Sequence, residues 1–181
     1  MSSTISIGAL SVSVFGESHG TAIGAVIDNL PAGEKLDLER IYGFMSRRAP
    51  KKDGTSTMRS ETDFPEIISG FYNGKTTGEA ICAIIKNKDQ HSSDYKSIYG
   101  IARPGHADYT GFLRYNCAND PRGGGHFSGR LTAPLVFMGA ICEQLLEARG
   151  VTAAAHIYSI GKEKDLPFDP VNVSKEQLKE V

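Results

Sequence analysis

The 181-residue sequence predicts an α+β protein. Three observations point there: strand-like alternation near the start, paired apolar runs around an Asn-Gly turn, and two segments with apolar residues at helical spacing. Taken in order, "MSSTISIGALSVSVFG" alternates Ser with Ile or Val and predicts a strand to about Val14. It lacks the positive n-region and unbroken apolar run of a targeting signal. "IGAVIDNLPAG" reads as a second strand closing in an Asn-Leu-Pro-Ala-Gly turn. Asp37 is a natural N-cap for a helix with Leu38, Ile41, Phe44 and Met45 on one side, which ends on Arg47 and Arg48. Residues 49–64 form a long polar segment without a period, a kind of loop that is usually functional or disordered. "EIISGFYNGKTTGEAICAIIKN" predicts a hairpin, and "HADYTGFLRY" a short helix. Arg130 to Arg149 reads as a long helix ended by Gly150, with a kink or a later start at Pro134. "VTAAAHIYSIG" predicts another strand. "SKEQLKEV" opens a helix capped by Ser174, an ending that suggests a fragment.

Composition narrows the class. The chain is 40% hydrophobic and 23% charged, ordinary for a domain with a real core, and its length fits one domain or slightly more. A formal charge of −1 excludes a protein that works by covering nucleic acid with positive charge. Any basic site must be local. Cys82, Cys117 and Cys142 form no CxxC pair and read as free thiols of a reducing cytosol. No stretch is long and apolar enough to cross a bilayer.

Four stretches could carry chemistry. "FGESHG" sets Glu17, Ser18 and His19 between two glycines, either as a reactive cluster or as a strand-ending loop with a solvated imidazole. Arg47, Arg48, Lys51, Lys52 and Arg59 make a local positive patch suited to phosphate or carboxylate, or a solvated basic loop. In "RPGHAD", Pro104-Gly105 forces a turn that aims Arg103 and His106, and Asp108 is close enough to orient the imidazole. The other reading is a helix start with an incidental His. "RGGGHFSGR" puts three glycines before a helix, where backbone N–H groups can face an anion, with Arg122, Ser128 and Arg130 as supplements. It is neither a Walker loop nor a dinucleotide fingerprint. Metal-ligand spacing is missing, as is a nucleophile-base pair. The set suits a substrate carrying phosphate and carboxylate, with a phosphorylated cofactor.

"FGESHG", "GKTTG", "RPGHADYT" and "RGGGHFSGRLT" stand in the order and spacing of the chorismate synthase family, and the resemblance covers essentially the whole chain. It implies a lyase of the shikimate pathway that converts 5-enolpyruvylshikimate 3-phosphate to chorismate and phosphate by anti-1,4 elimination. The resemblance further implies a need for reduced FMN from a separate flavin reductase or reductant, an association with NADP, a cytoplasmic homotetramer, and no nucleic-acid or membrane partner. The implied fold is a sandwich of antiparallel sheets enclosing a helical layer, of which residues 1–181 would be the N-terminal part of a single domain.

Residue by residue, His19 matches a histidine near the departing phosphate, and His106 one beside the flavin. These two are the implied catalytic residues. Arg48, Arg103 and Arg130 are the implied substrate-binding residues. Ser18, His106, Ser128, Gly129 and Arg130 are the implied cofactor contacts, and no metal is implied. Two departures stand out. His126 occupies a position where the family often has Arg, and nothing matches the family's later Arg-x-Asp motif. A non-catalytic flavin- or phosphate-binding fragment, or an assembly module, is therefore the alternative.

Overall fold

A computed structural model describes residues 3–49, 63–88, 100–166, 171, 174 and 176–177. The chain divides into two compact units, Met1–Ile141 and Cys142–Val181.

The first unit is built on a five-stranded antiparallel sheet. Its strands are β1 (Thr4–Ile7), β2 (Leu10–Gly16), β3 (Ala22–Asp28), β4 (Glu66–Ser69) and β7 (Ile81–Lys86), in the order β1-β2-β3-β7-β4. The opening strand expected to reach Val14 is in fact two. The chain doubles back between Ile7 and Leu10, with Gly8 at φ +59° supplying the backbone angle a two-residue hairpin loop needs. The alternation changes phase across this loop, from Ile5 and Ile7 to Leu10, Val12 and Val14, and that shift is the sequence mark of the break.

The centre of the sheet carries the core. Strands β3 and β7 pair Ile23 with Ile85, Ala25 with Ala83 and Ile27 with Ile81. All six side chains are buried, and each isoleucine contributes about 1.5–3 kcal/mol by leaving water. Phe15 pairs with Gly24, where any Cβ would strike the Phe15 ring. Large-on-small packing thus fixes the end of β2 immediately before "ESH".

The predicted hairpin of residues 66–87 forms, split by a bulge. Strands β4 and β7 shift register after Ile67, and the tip becomes a small separate ladder of β5 (Phe71–Tyr72) and β6 (Lys75–Thr76). Asn73 and Gly74 make its turn with φ of 47° and 78°. Helix α1 (Leu38–Arg48) starts where expected, with the Asp37 carboxylate accepting from Arg40 N at 3.2 Å, and it buries Ile41 and Met45.

Helix α2 (Asp108–Arg114) is the short helix read from "HADYTGFLRY". Helix α3 (Thr132–Glu147) follows a short 3-10 turn at Gly129–Leu131, so Pro134 falls in its first turn, where its missing N–H is harmless. This is the later start, without a kink. Gly150 ends it at φ +73°. In the first unit α3 buries Ala133, Pro134, Phe137, Met138, Ala140 and Ile141.

The second unit corrects one expectation. "VTAAAHIYSIG" is not a strand over its length: residues 151–158 have no regular structure. Only β8 (Ser159–Ile160) pairs, with β9 (Glu163–Lys164), around Gly161. Val151, Ile157, Tyr158 and Ile160 are exposed, so the apolar residues that suggested a strand have no buried face to form against among the described residues. Ser174 and Gln177 form a reciprocal cap at 3.0 and 3.1 Å, and most of the helix they announce lies outside the described residues. The three cysteines are free thiols. No helix among the described residues is long and apolar enough to cross a membrane.

Candidate active site

The site assembles within the first unit from three of the four sequence motifs and the end of α1. "FGESHG" is the loop joining β2 to β3. Asn87, just past β7, holds it shut: its side-chain amide donates to the carbonyls of Glu17 and Gly20 at 3.0 and 2.8 Å. Ser18 and His19 are buried, not solvated. The Ser18 hydroxyl is 3.1 Å from His19 Nδ1, and Ser18 N donates to Gly125 O at 3.2 Å.

"RPGH" is a Pro-Gly turn, with Gly105 at φ +74° and His106 N donating to Arg103 O at 3.3 Å. Asp108 opens α2 but bends back. Its Oδ2 accepts from Arg103 N and Nε at 3.0 and 2.7 Å, and its Oδ1 from Arg103 Nη2 at 2.9 Å. His106 Nδ1 lies 2.6 Å from Oδ1. Hydrogen bonds from the Arg103 guanidinium hold the Asp108 carboxyl well below the usual carboxylate range, against the opposing effect of burial. Of the two readings of this motif, the imidazole bound to Asp108 is the one observed.

The glycine run brings the two histidines together. Gly123, Gly124 and Gly125 all have positive φ and form a tight turn before the short helix at Gly129. A Cβ on Gly123 would overlap His19 Cε1 and Nδ1, and one on Gly124 would lie 2.7 Å from His106 Nε2. Consecutive bare backbone units therefore pack against the two imidazoles. The glycines do not open α3, as the sequence suggested, because the 3-10 turn intervenes and α3 begins at Thr132. Ser128 accepts from Arg130 N at 3.2 Å as the cap of that turn. Arg122 forks onto Asp120, with Nε–Oδ1 at 2.9 Å and Nη2–Oδ2 at 2.6 Å. This pairing lowers the pKa of Asp120 and raises that of Arg122. His126 Nδ1 faces Gly16 O at 3.3 Å.

The arginines meet on a residue that sequence reasoning passed over. Asp63 is fully buried and shares its carboxylate between Arg130 Nη1 and Arg48 Nη1. Arg130 Nε also reaches Asn87 Oδ1 at 3.1 Å, and Arg48 Nη2 donates to Gly129 O at 3.3 Å. Arg47, next to Arg48, is exposed and lies over the Phe44 ring at 4.9 Å. Lys51, Lys52 and Arg59 lie outside the described residues. Asp63 ends the long polar segment and Asn87 follows a strand. Their only sequence signal was a polar residue abutting an apolar run. A cleft of about 250 Å³ opens beside Glu17, Asn119, Asp120 and His126. No metal-binding cluster occurs among the described residues.

Fold and site together define an α+β protein with a set of buried and half-buried imidazoles and guanidiniums gathered around a glycine turn. Residues 10–181 match the chorismate synthase family. The chain is 50% identical over 159 residues to the chorismate synthase of Polaromonas naphthalenivorans, covering 87% of this chain and 43% of that one. It is 44% identical over 153 residues to the chorismate synthase of Thermococcus kodakarensis, covering 84% and 43%. A crystal structure of a chorismate synthase superposes with a TM-score of 0.64 at 28% identity, over 88% of this chain and 41% of that one. This chain belongs to the chorismate synthase family. It spans less than half the length of these relatives.

Proposed function

We propose that this chain carries the histidine- and arginine-bearing part of a lyase site that converts 5-enolpyruvylshikimate 3-phosphate to chorismate and phosphate. The observation that supports it most is the seating of His19 and His106 against consecutive glycines, with Arg130 leading out of the same loop. His19 is the proton donor to the departing phosphate, and its burial keeps water from competing for that proton. Arg48 and Arg130 stabilise the phosphate charge as it develops. Arg103 commits its Nε and Nη2 to Asp108, so in this reading it acts on the substrate chiefly by shaping the His106 turn.

The donor set also fits reduced FMN: guanidinium, hydroxyl and imidazole groups beside glycine backbone suit an anionic, phosphorylated cofactor. Ser18, His106, Ser128, Gly129 and Arg130 would hold it. Reduced FMN held there would supply transient one-electron chemistry to the elimination, with no net oxidation. His106 holds or moves a proton at the face it turns to the glycine loop. A separate flavin reductase or reductant, an NADP link, homotetrameric assembly and a cytoplasmic setting belong to the same proposal, as does the reading of residues 1–181 as the N-terminal portion of one domain.

Calorimetric titration of 5-enolpyruvylshikimate 3-phosphate into the chain with oxidised FMN tests the site. Saturable binding is expected, weakened in Arg48→Ala by on the order of 2–5 kcal/mol through loss of a hydrogen-bonded charge partner. Absent binding, or unchanged affinity in Arg48→Ala, would contradict the assignment.

A further inference from the structure

We infer that Asp108 is a positioning residue that fixes the tautomer of His106, placing the proton on Nδ1 and leaving Nε2 as the working nitrogen, turned to the glycine loop. The inference that Nε2 works in catalysis rests on the proposed function; the tautomer itself does not.

The geometry decides where the proton sits. His106 Nδ1 lies 2.6 Å from Asp108 Oδ1 and 3.3 Å from Arg103 Nη2. A guanidinium can only donate, and an ionised carboxylate can only accept. If Nδ1 carried a lone pair, it would face the Oδ1 lone pairs at 2.6 Å, a repulsive contact. With a proton on Nδ1, the same contact becomes a short charge-assisted hydrogen bond. Arg103 Nη2 and His106 Nδ1 are then near each other because both donate to the same oxygen. Neutral imidazole has one N–H, so Nε2 keeps its lone pair.

Asp108 is itself held in place. Three Arg103 donors, backbone N, Nε and Nη2, fix both carboxylate oxygens. Two of those donors are on the side chain of the residue that begins the Pro-Gly turn, so turn, carboxylate and imidazole form one unit. Hydrogen bonds from Arg103 keep Asp108 ionised well below neutral pH despite its burial. Charge reaches the imidazole from Asp108 and Arg103 on its own loop. The glycine loop meets it with the bare backbone of Gly124, where a Cβ would stand 2.7 Å from Nε2. A side chain at position 124 would therefore cover the very nitrogen that Asp108 leaves available.

The test is nitrogen-15 NMR of the His106 ring, in the 181-residue chain, above the pH at which the ring becomes neutral. The wild-type ring should show a protonated Nδ1, a pyridine-type Nε2 and a far-downfield Nδ1 proton. An Nε2-protonated ring in the wild type would overturn the inference, and this measurement needs no variant. In Asp108→Asn the single amide oxygen goes to the Arg103 donors, and the amide NH₂ turns to Nδ1. The ring should then switch to the Nε2-protonated form, and a folded variant that keeps Nδ1–H would also overturn the inference. Asp108→Glu, which restores a carboxylate, should return some of the Nδ1–H form, and no return in a folded variant counts against it. Turnover separates the two claims. In the enzyme completed with the rest of a relative's sequence, Asp108→Asn should lower kcat by about 10²–10⁴-fold with KM little changed. Unaltered kcat overturns the working role of Nε2. Failure of the wild-type protein to form chorismate strikes the proposed function, whereas the ring spectrum still decides the tautomer.

Discussion

Gly123→Ala tests the packing that joins the two histidines, and Gly8→Ala is its matched control. Both glycines sit at φ +59°. Alanine there costs roughly 1–2 kcal/mol in backbone conformation alone. Around Gly8 nothing lies within 4 Å of the added methyl, so that cost is the whole effect. At Gly123 the methyl would overlap the His19 ring and lie 2.8 Å from Ser18 Oγ. Ser18 and His19 are only 0% and 5% exposed, so neither side chain can swing into solvent to make room. Overpacking of this kind adds about 1–3 kcal/mol. Gly123→Ala should thus lose about 2–5 kcal/mol, a large share of the ~5–15 kcal/mol that holds a domain together. With a urea slope of about 1–3 kcal/mol per molar, the two midpoints should separate by about 1 M. Urea titration followed at the His19 and His106 ring resonances reads this directly. Equal midpoints would refute the contact between the glycine loop and His19.

Three further outcomes follow from the charged groups. Asp63→Asn removes the anion shared by Arg48 and Arg130 and should cost about 3–5 kcal/mol in urea unfolding, because it breaks a buried pair from one side. Added phosphate should recover part of that loss by mass action, and an absence of recovery would argue against an anion site there. Asp108 has a folded pKa below its unfolded value of about 3.9, so its contribution to stability is complete above about pH 5 and fades as pH falls through the lowered folded value. The stability gap between wild type and Asp108→Asn should therefore shrink in acid, and a constant gap down to about pH 2 would deny that Asp108 is ionised against Arg103. His106→Ala in the completed enzyme should reduce turnover about 10²–10⁴-fold while leaving substrate affinity nearly intact, and near-normal turnover would remove His106 from the mechanism.

Local chemistry was legible where one residue carries the signal. Asp37 caps α1, Asn73-Gly74 makes the hairpin tip, and Gly150 ends α3, each as read from the sequence. The two-residue turn at Gly8 escaped because the same Ser/apolar pattern lies on both sides, although its phase shifts from Ile5 and Ile7 to Leu10, Val12 and Val14. The strand read over 151–161 shrank to β8 because apolar content makes a strand only where a partner and a buried face exist. The site shows the same division. His19, His106, Arg48 and Arg130 could be named from motifs, since each lies in a glycine-rich or basic stretch. Asp63 and Asn87 could not, because their importance comes from contacts across 67 and 43 residues of sequence to Arg130. Nor could the sequence show that Gly123 touches His19 and Gly124 touches His106. That pairing depends on how the β2–β3 loop and the Pro-Gly turn meet the glycine loop in space.

Anaerobic conversion of 5-enolpyruvylshikimate 3-phosphate tests the functional account most directly. The 181-residue chain is combined with the polypeptide that completes a relative's length, and chemically reduced FMN is supplied without a nicotinamide cofactor. Chorismate and phosphate should appear in equal amounts, with no net consumption of reduced flavin. Either His19→Ala or His106→Ala should suppress formation by about 10²-fold or more. The uncombined chain should form none. Conversion that persists in both histidine variants, or a folded and flavin-loaded combination that forms no chorismate, would contradict the account.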